Sequence, residues 1–146
     1  MTIYWPLTVA GLFTVTLGII HFWFPILLDF AHAIPRAGTT IRPFRLGPIR
    51  YATLRSDVHG IAWVMNHAAS YALVGIGLLD LFAGAWLDHP ASKWLLLWIA
   101  GWWILRSGAQ FYLGRRPGDW LIAGGFLLLA FVHLVYALWY ALGYAL

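Results

Sequence analysis

The chain contains no cysteine and no glutamate, and only 10% of its 146 residues are charged. The first absence excludes disulfides, thiolate catalysis, Cys-ligated metals and the Cys-x-x-Cys pair of membrane thiol oxidoreductases. The second disfavours mechanisms that depend on an intramembrane Glu and leaves Asp29, Asp57, Asp80, Asp88 and Asp119 as the side-chain carboxylates. Soluble domains carry about 25% charged residues. Here charge is scarce, 62% of residues are hydrophobic and mean hydropathy is +0.78, so lipid rather than water is the expected solvent. A Gly-rich phosphate loop, a serine nucleophile elbow, a zinc-protease motif and a haem-attachment motif are all missing. Catalysis would therefore have to rest on the placement of polar groups alone.

What is present is organised around four long apolar spans, at about 5–28, 57–86, 92–113 and 119–142. Each reaches the ~20 residues needed to cross the hydrocarbon, and all are too long for barrel strands. The expected fold is an all-α integral membrane four-transmembrane-helix bundle forming a single domain over 1–146. Ser92 and Asp119 suit the N-caps of spans three and four. Gly47-Pro48 suits an early start to the second helix. The loop 29–56 carries Pro35, Pro43 and Pro48 and is expected to lie on the headgroups or cap one mouth of the bundle. The N-terminus has no basic region and no cleavage site, so the first span reads as a retained helix.

Charge is distributed asymmetrically. Arg36, Arg42, Arg45, Arg50 and Arg55 lie between spans one and two, and Arg106, Arg115 and Arg116 at the end of span three and just beyond. Only Lys93 falls on the other side. The net charge of +4 thus reads as a positive-inside signal facing anionic headgroups, not as a nucleic-acid patch. It places the long loop in the cytoplasm and both termini outside, in a bacterial inner membrane if the source is bacterial. Tyr4, Trp5, Trp86, Trp94, Tyr112, Trp120, Trp139, Tyr140 and Tyr144 cluster at span ends as interfacial anchors.

Polar residues inside the spans mark the candidate chemistry. Gly11, Thr14, Gly18, His21 and Pro25 recur at steps of three and four, forming one helical stripe. His59, Asn66, Ser70 and Gly77 form a second, with His67 about 80° away at ~100° per residue. Arg106 and Gln110 are neighbours on the third span. Arg106 either snorkels to the headgroups, pairs with Asp57 or Asp119, or binds an anionic head. His133 lies near the middle of the fourth span, with Tyr136 and Tyr140 roughly on its face. Its bland explanation is a bond to a tyrosine or a carbonyl. At 1.5 Å per residue, His21 and His67 fall within about one turn of the same depth. Two such histidines can ligate haem iron from opposite faces or form two corners of a metal site.

The stretch Gly18-Ile-Ile-His-Phe-Trp-Phe-Pro25 resembles the Gly-x-x-His-Phe-x-x-Pro signature of DoxX-like small membrane proteins. The resemblance covers that stretch and the span count. It implies a four-helix bundle and an accessory role beside a redox system.

These features lead to one principal expectation. The chain is a cofactor- or ligand-holding accessory subunit of a membrane assembly, with an inward-opening pocket lined by His21, His59, Asn66, His67, Arg106 and Gln110, and with His133 further out. Its occupant is a haem b, a quinone headgroup or a lipid. Its partners are membrane lipids and either other membrane subunits or further copies of itself. The alternatives are an integral-membrane enzyme acting on a lipid-like or quinone-like substrate, with His59 or His67 as acid/base, and a transporter or channel. A purely structural subunit, whose polar groups satisfy one another, is the reading each must displace.

Overall fold

The computed structural model describes residues 4–37, 44–51, 55–113 and 116–143. Arg42, Pro43, Arg115 and Tyr144 lie outside them. The described chain is helical apart from one short hairpin. Its elements are α1 (Trp5–Phe22), α2 (Phe24–Leu27), α3 (Phe30–Ala33), β1 (Phe44–Leu46), β2 (Ile49–Tyr51), α4 (Arg55–Leu81), α5 (Ser92–Leu113) and α6 (Pro117–Ala141), with a 3-10 turn at Ala83–Ala85. Three helices, α1, α4 and α6, are long and apolar enough to cross a membrane. Only 28–33% of the most apolar window of each is buried, so most of their apolar side chains face outward. α5 matches them in length, with 22 residues, but its tryptophans, Lys93 and Arg106 make it less apolar.

Several boundaries differ from those expected, for local reasons. Span one does not run unbroken to Leu28. α1 stops at Phe22 and a short helix restarts at Phe24, because Pro25 has no N–H to continue the ladder. Gly47-Pro48 does not open a helix. It is the turn of an antiparallel hairpin in which Arg45 pairs with Arg50, and Gly47 takes φ +59°, a left-handed conformation that glycine adopts without strain. Asp119 is not the N-cap of α6. Arg116 holds that place in an extended conformation, Pro117 follows at the start of the helix, and the Asp119 carboxylate accepts the Arg116 backbone N–H at 2.9 Å.

The chain divides into two compact units, Phe13–Gly77 and the pair of segments Met1–Leu12 and Leu78–Leu146. In the first, α1 approaches α4 closely at Gly18, where a Cβ would stand 2.9 Å from the Val74 backbone nitrogen and 3.0 Å from the Leu73 Cβ. Small residues are what allow helices to meet at this distance.

The second unit is built on α5 and α6. Trp103 stacks on Phe126 at 5.3 Å, the Ser107 hydroxyl donates to the Ala123 carbonyl at 3.0 Å, and Phe111 meets Trp120 edge-on at 5.3 Å. One partner number rises as the other falls, so the two helices are antiparallel. Leu7, Ala83, Leu87, Leu96 and Ala137 form its apolar core, with Tyr4, Trp86, Val132, Tyr136 and Tyr140 packed around them.

Candidate functional site

All five stripe residues of the first span are buried, Thr14, Gly18, His21 and Pro25 in the first unit and Gly11 in the second. So are His59, Asn66, Ser70 and Gly77 of α4, whereas His67, off that stripe, is exposed. The buried polar groups form a connected network. Asn66 donates its amide N–H to the His21 carbonyl at 2.9 Å. That carbonyl is four residues before Pro25, so it is the one the proline leaves without a helical donor. Ser70 donates its hydroxyl to the Asn66 carbonyl at 2.8 Å, and its oxygen lies 3.3 Å from His21 Nδ1. With the serine proton already placed, His21 Nδ1–H is the donor in that contact.

His59 is used differently. Its Nδ1–H donates to the Ile34 carbonyl, joining α4 to the segment that follows α3. His67 lies between aromatic rings on the helix surface, 5.8 Å from Phe22 and 5.7 Å from Trp63. Just outside the first span, Asp29 takes a left-handed φ of 49°, which Asp tolerates better than most residues, and both its oxygens meet His32 Nδ1, at 2.8 and 2.7 Å. This contact holds the Asp29 carboxyl below, and the His32 imidazole above, their ordinary values.

Arg106, Gln110 and His133 belong to the second unit. The Arg106 guanidinium lies over the Phe126 ring, 5.7 Å from its centroid. Asp119 pairs with Arg116. Gln110 is buried and borders a narrow crevice with Phe111, Asp119, Trp120 and Ala123. His133 is fully buried, with Nδ1 2.7 Å from the Leu129 carbonyl and Nε2 3.0 Å from Asp80 Oδ1. The carbonyl bond was the expected one; the partnership with Asp80 was not. The signal for it was nevertheless available. Asp80 continues the α4 stripe three residues after Gly77, and His133 falls on the α6 stripe of Asp119, Ala123, Phe126, Ala130 and Ala137, all buried at steps of three and four.

A sizeable cavity among the described residues is also in the second unit. It has a volume of about 590 Å³ and is an open groove lined by Tyr4, Pro6, Asp88, Phe131, Val132, Val135, Tyr136, Trp139 and Tyr140. The Tyr140 hydroxyl donates to the Tyr4 hydroxyl at 3.3 Å, leaving the Tyr4 proton to be donated onward. The Tyr4 and Tyr136 rings meet edge to face at 6.1 Å. The groove therefore combines phenol hydroxyls and the Asp88 carboxylate with an apolar wall of Phe131, Val132 and Val135. Its lining on α6 lies in the C-terminal half of the helix, about 22–36 Å along it from Arg116. Sequence reasoning treated Tyr4, Trp139 and Tyr140 as interfacial anchors and Tyr136 as a neighbour of His133, and did not find the groove, because a cavity arises from the shape of several elements and has no periodicity of its own.

No family model, no curated protein and no solved structure matches the chain.

Proposed function

We propose that the protein is a four-helix integral membrane protein that holds an amphipathic small molecule as an accessory subunit of a membrane assembly, a redox one on its resemblance to DoxX-like proteins. The groove beside Tyr4, Tyr136 and Tyr140 is the observation that carries the ligand-holding role. Its volume of about 590 Å³ falls within the range of small-molecule sites, ~300–1,000 Å³. Its lining matches an amphiphile, with phenols and a carboxylate to fix a polar head and an apolar wall for the body.

The membrane reading draws on the inverted surface of the helices. On α6, Leu121, Leu128, Phe131 and Leu138 are each more than 59% exposed, while Ala123, Ala130, His133 and Ala137 are buried. In water this arrangement would expose apolar area at ~25 cal/mol per Å², whereas in lipid it costs nothing. α5 joins as the fourth span. Its 22 residues rise about 33 Å, and Trp98, Ile104 and Leu105 face outward. The arginine loops would lie on the cytoplasmic side and both termini outside.

The polar cluster of His21, His59 and Asn66 in the first unit, with His67, is the second place for a ligand within the same function. His21 and His67 are the proposed axial ligands should the occupant be haem. Mass spectrometry of the protein extracted with its native lipids, together with its visible spectrum, tests the role. One small molecule retained in fixed ratio is expected. A Soret band identifies it as haem held by the histidines, and a colourless ligand places it in the groove. A spectrum holding only bulk lipids in variable number contradicts ligand holding.

A further inference from the structure

The fully buried contact between Asp80 and His133 has an unusual requirement for hydrogen. His133 Nδ1 lies 2.7 Å from the Leu129 carbonyl, which can only accept, so Nδ1 carries a hydrogen. In a neutral ring Nε2 is then a lone pair. It lies 3.0 Å from Asp80 Oδ1, which in an ionised carboxylate is another lone pair. The contact is therefore attractive only if one further proton lies between the two atoms. Asp80 Oδ2 is also buried and has no hydrogen-bond partner. An orphaned oxygen on a neutral carboxylic acid costs far less in an apolar interior than one on an ionised carboxylate.

We propose that Asp80 and His133 form a binding site for a single proton, carried on Asp80 Oδ1 and donated to His133 Nε2, that locks the end of α4 to α6.

The surroundings suit a proton and no larger cation. Among the described residues, no group of three or more His, Cys, Asp or Glu could hold a metal ion. His133, from α6, is the titratable group that meets Asp80 in a hydrogen-bond contact. The charged side chains of α5 are engaged elsewhere, Lys93 over the Trp94 ring and Arg106 over Phe126. On α6, Tyr136 is turned to the groove, and Asp119 is held by Arg116. Loss of the proton would set two lone pairs against each other beside a buried, unpaired negative charge, so the contact must open when the proton leaves. The site is thus a proton-dependent latch.

The experiment is unfolding of the full chain in detergent across neutral and alkaline pH, for the wild type and for Asp80→Asn. Folded wild type holds a proton that the unfolded chain releases, so its folding constant should fall by about tenfold per pH unit as pH rises. An asparagine amide donates to Nε2 without ionising, so Asp80→Asn should fold and lack that component of the slope. Other titrating groups, including His32, contribute equally to both proteins and cancel in the difference. Parallel pH profiles for the two would overturn the proposal. A second measurement needs no variant. Infrared spectra of the wild type at and above neutral pH should contain a protonated-carboxyl stretch that shifts in deuterated water. With five side-chain carboxylates and no glutamate, its assignment is tractable. A spectrum with every carboxyl ionised in the folded protein would equally overturn it.

Discussion

Pro25 and Asn66 illustrate how a polar residue in an apolar helix can be accounted for by the backbone. The proline deprives the His21 carbonyl of its helical donor, and the Asn66 amide, 45 residues later in the chain, supplies one. Asn66→Leu should destabilise the protein by about 1–2 kcal/mol, the upper range for hydrogen bonds between membrane helices. In a Pro25→Ala background, where residue 25 regains its N–H, the same change should cost less. Denaturant titrations of the four proteins in detergent give this coupling directly, and equal costs in both backgrounds would show that Asn66 acts elsewhere. The stripes holding these residues were legible from spacing alone, because burial on a helix repeats every three to four residues. Their hydrogen-bond partners were not, since spacing along one helix says nothing about which residue of another helix lies opposite. The Asp29–His32 pair is a simpler case. His32 is held above its ordinary value of 6.5 by the neighbouring carboxylate. Its contribution is fully present below pH 6.5 and is lost as pH rises through the higher folded value. NMR titration of His32 should show its midpoint falling towards 6.5 in Asp29→Asn, and an unchanged midpoint would remove the pairing.

Helices depend on their glycines in opposite ways. At Gly18 an added methyl would meet Val74 backbone, which cannot rotate away, so Gly18→Ala should cost about 1–3 kcal/mol through overpacking. At Gly125 nothing lies within 4 Å of the added carbon. There the better helix propensity of alanine should be neutral or stabilising by up to about 1 kcal/mol. Melting temperatures of the two variants in one detergent should therefore move in different directions from the wild type, or at least only Gly18→Ala should fall. The start of α6 has its own determinant in Asp119, whose carboxylate satisfies the Arg116 N–H. Asp119→Ala should cost about 1 kcal/mol, read as a loss of melting temperature and faster amide exchange at Arg116. Asp119 was recognisable as a helix-start residue, but its place was three residues too early in expectation, because Pro117 takes the first turn. Gly47-Pro48 misled for a related reason: the same dipeptide serves a turn or a helix start, and only the pairing of Phe44–Leu46 with Ile49–Tyr51 decides between them.

At the scale of the whole molecule, composition and hydropathy indicated a helical protein with membrane-crossing segments, because a bilayer imposes length and apolarity on each helix separately. The ligand site was far less legible. Ionisable residues near the arginine loops drew attention to one end, whereas the groove is made from Tyr4, Asp88 and the last turns of α6, residue types that also serve as ordinary interfacial anchors. Val135 offers a way to block that groove without disturbing the core, since it lines the wall while its own side is 44% exposed. The most direct measurement is therefore native mass spectrometry of wild type and Val135→Trp, extracted identically with their lipids. The account predicts one small molecule bound to the wild type in fixed ratio and its loss from a folded Val135→Trp protein. Identical spectra, with the same bound species or with bulk lipids alone, would contradict it.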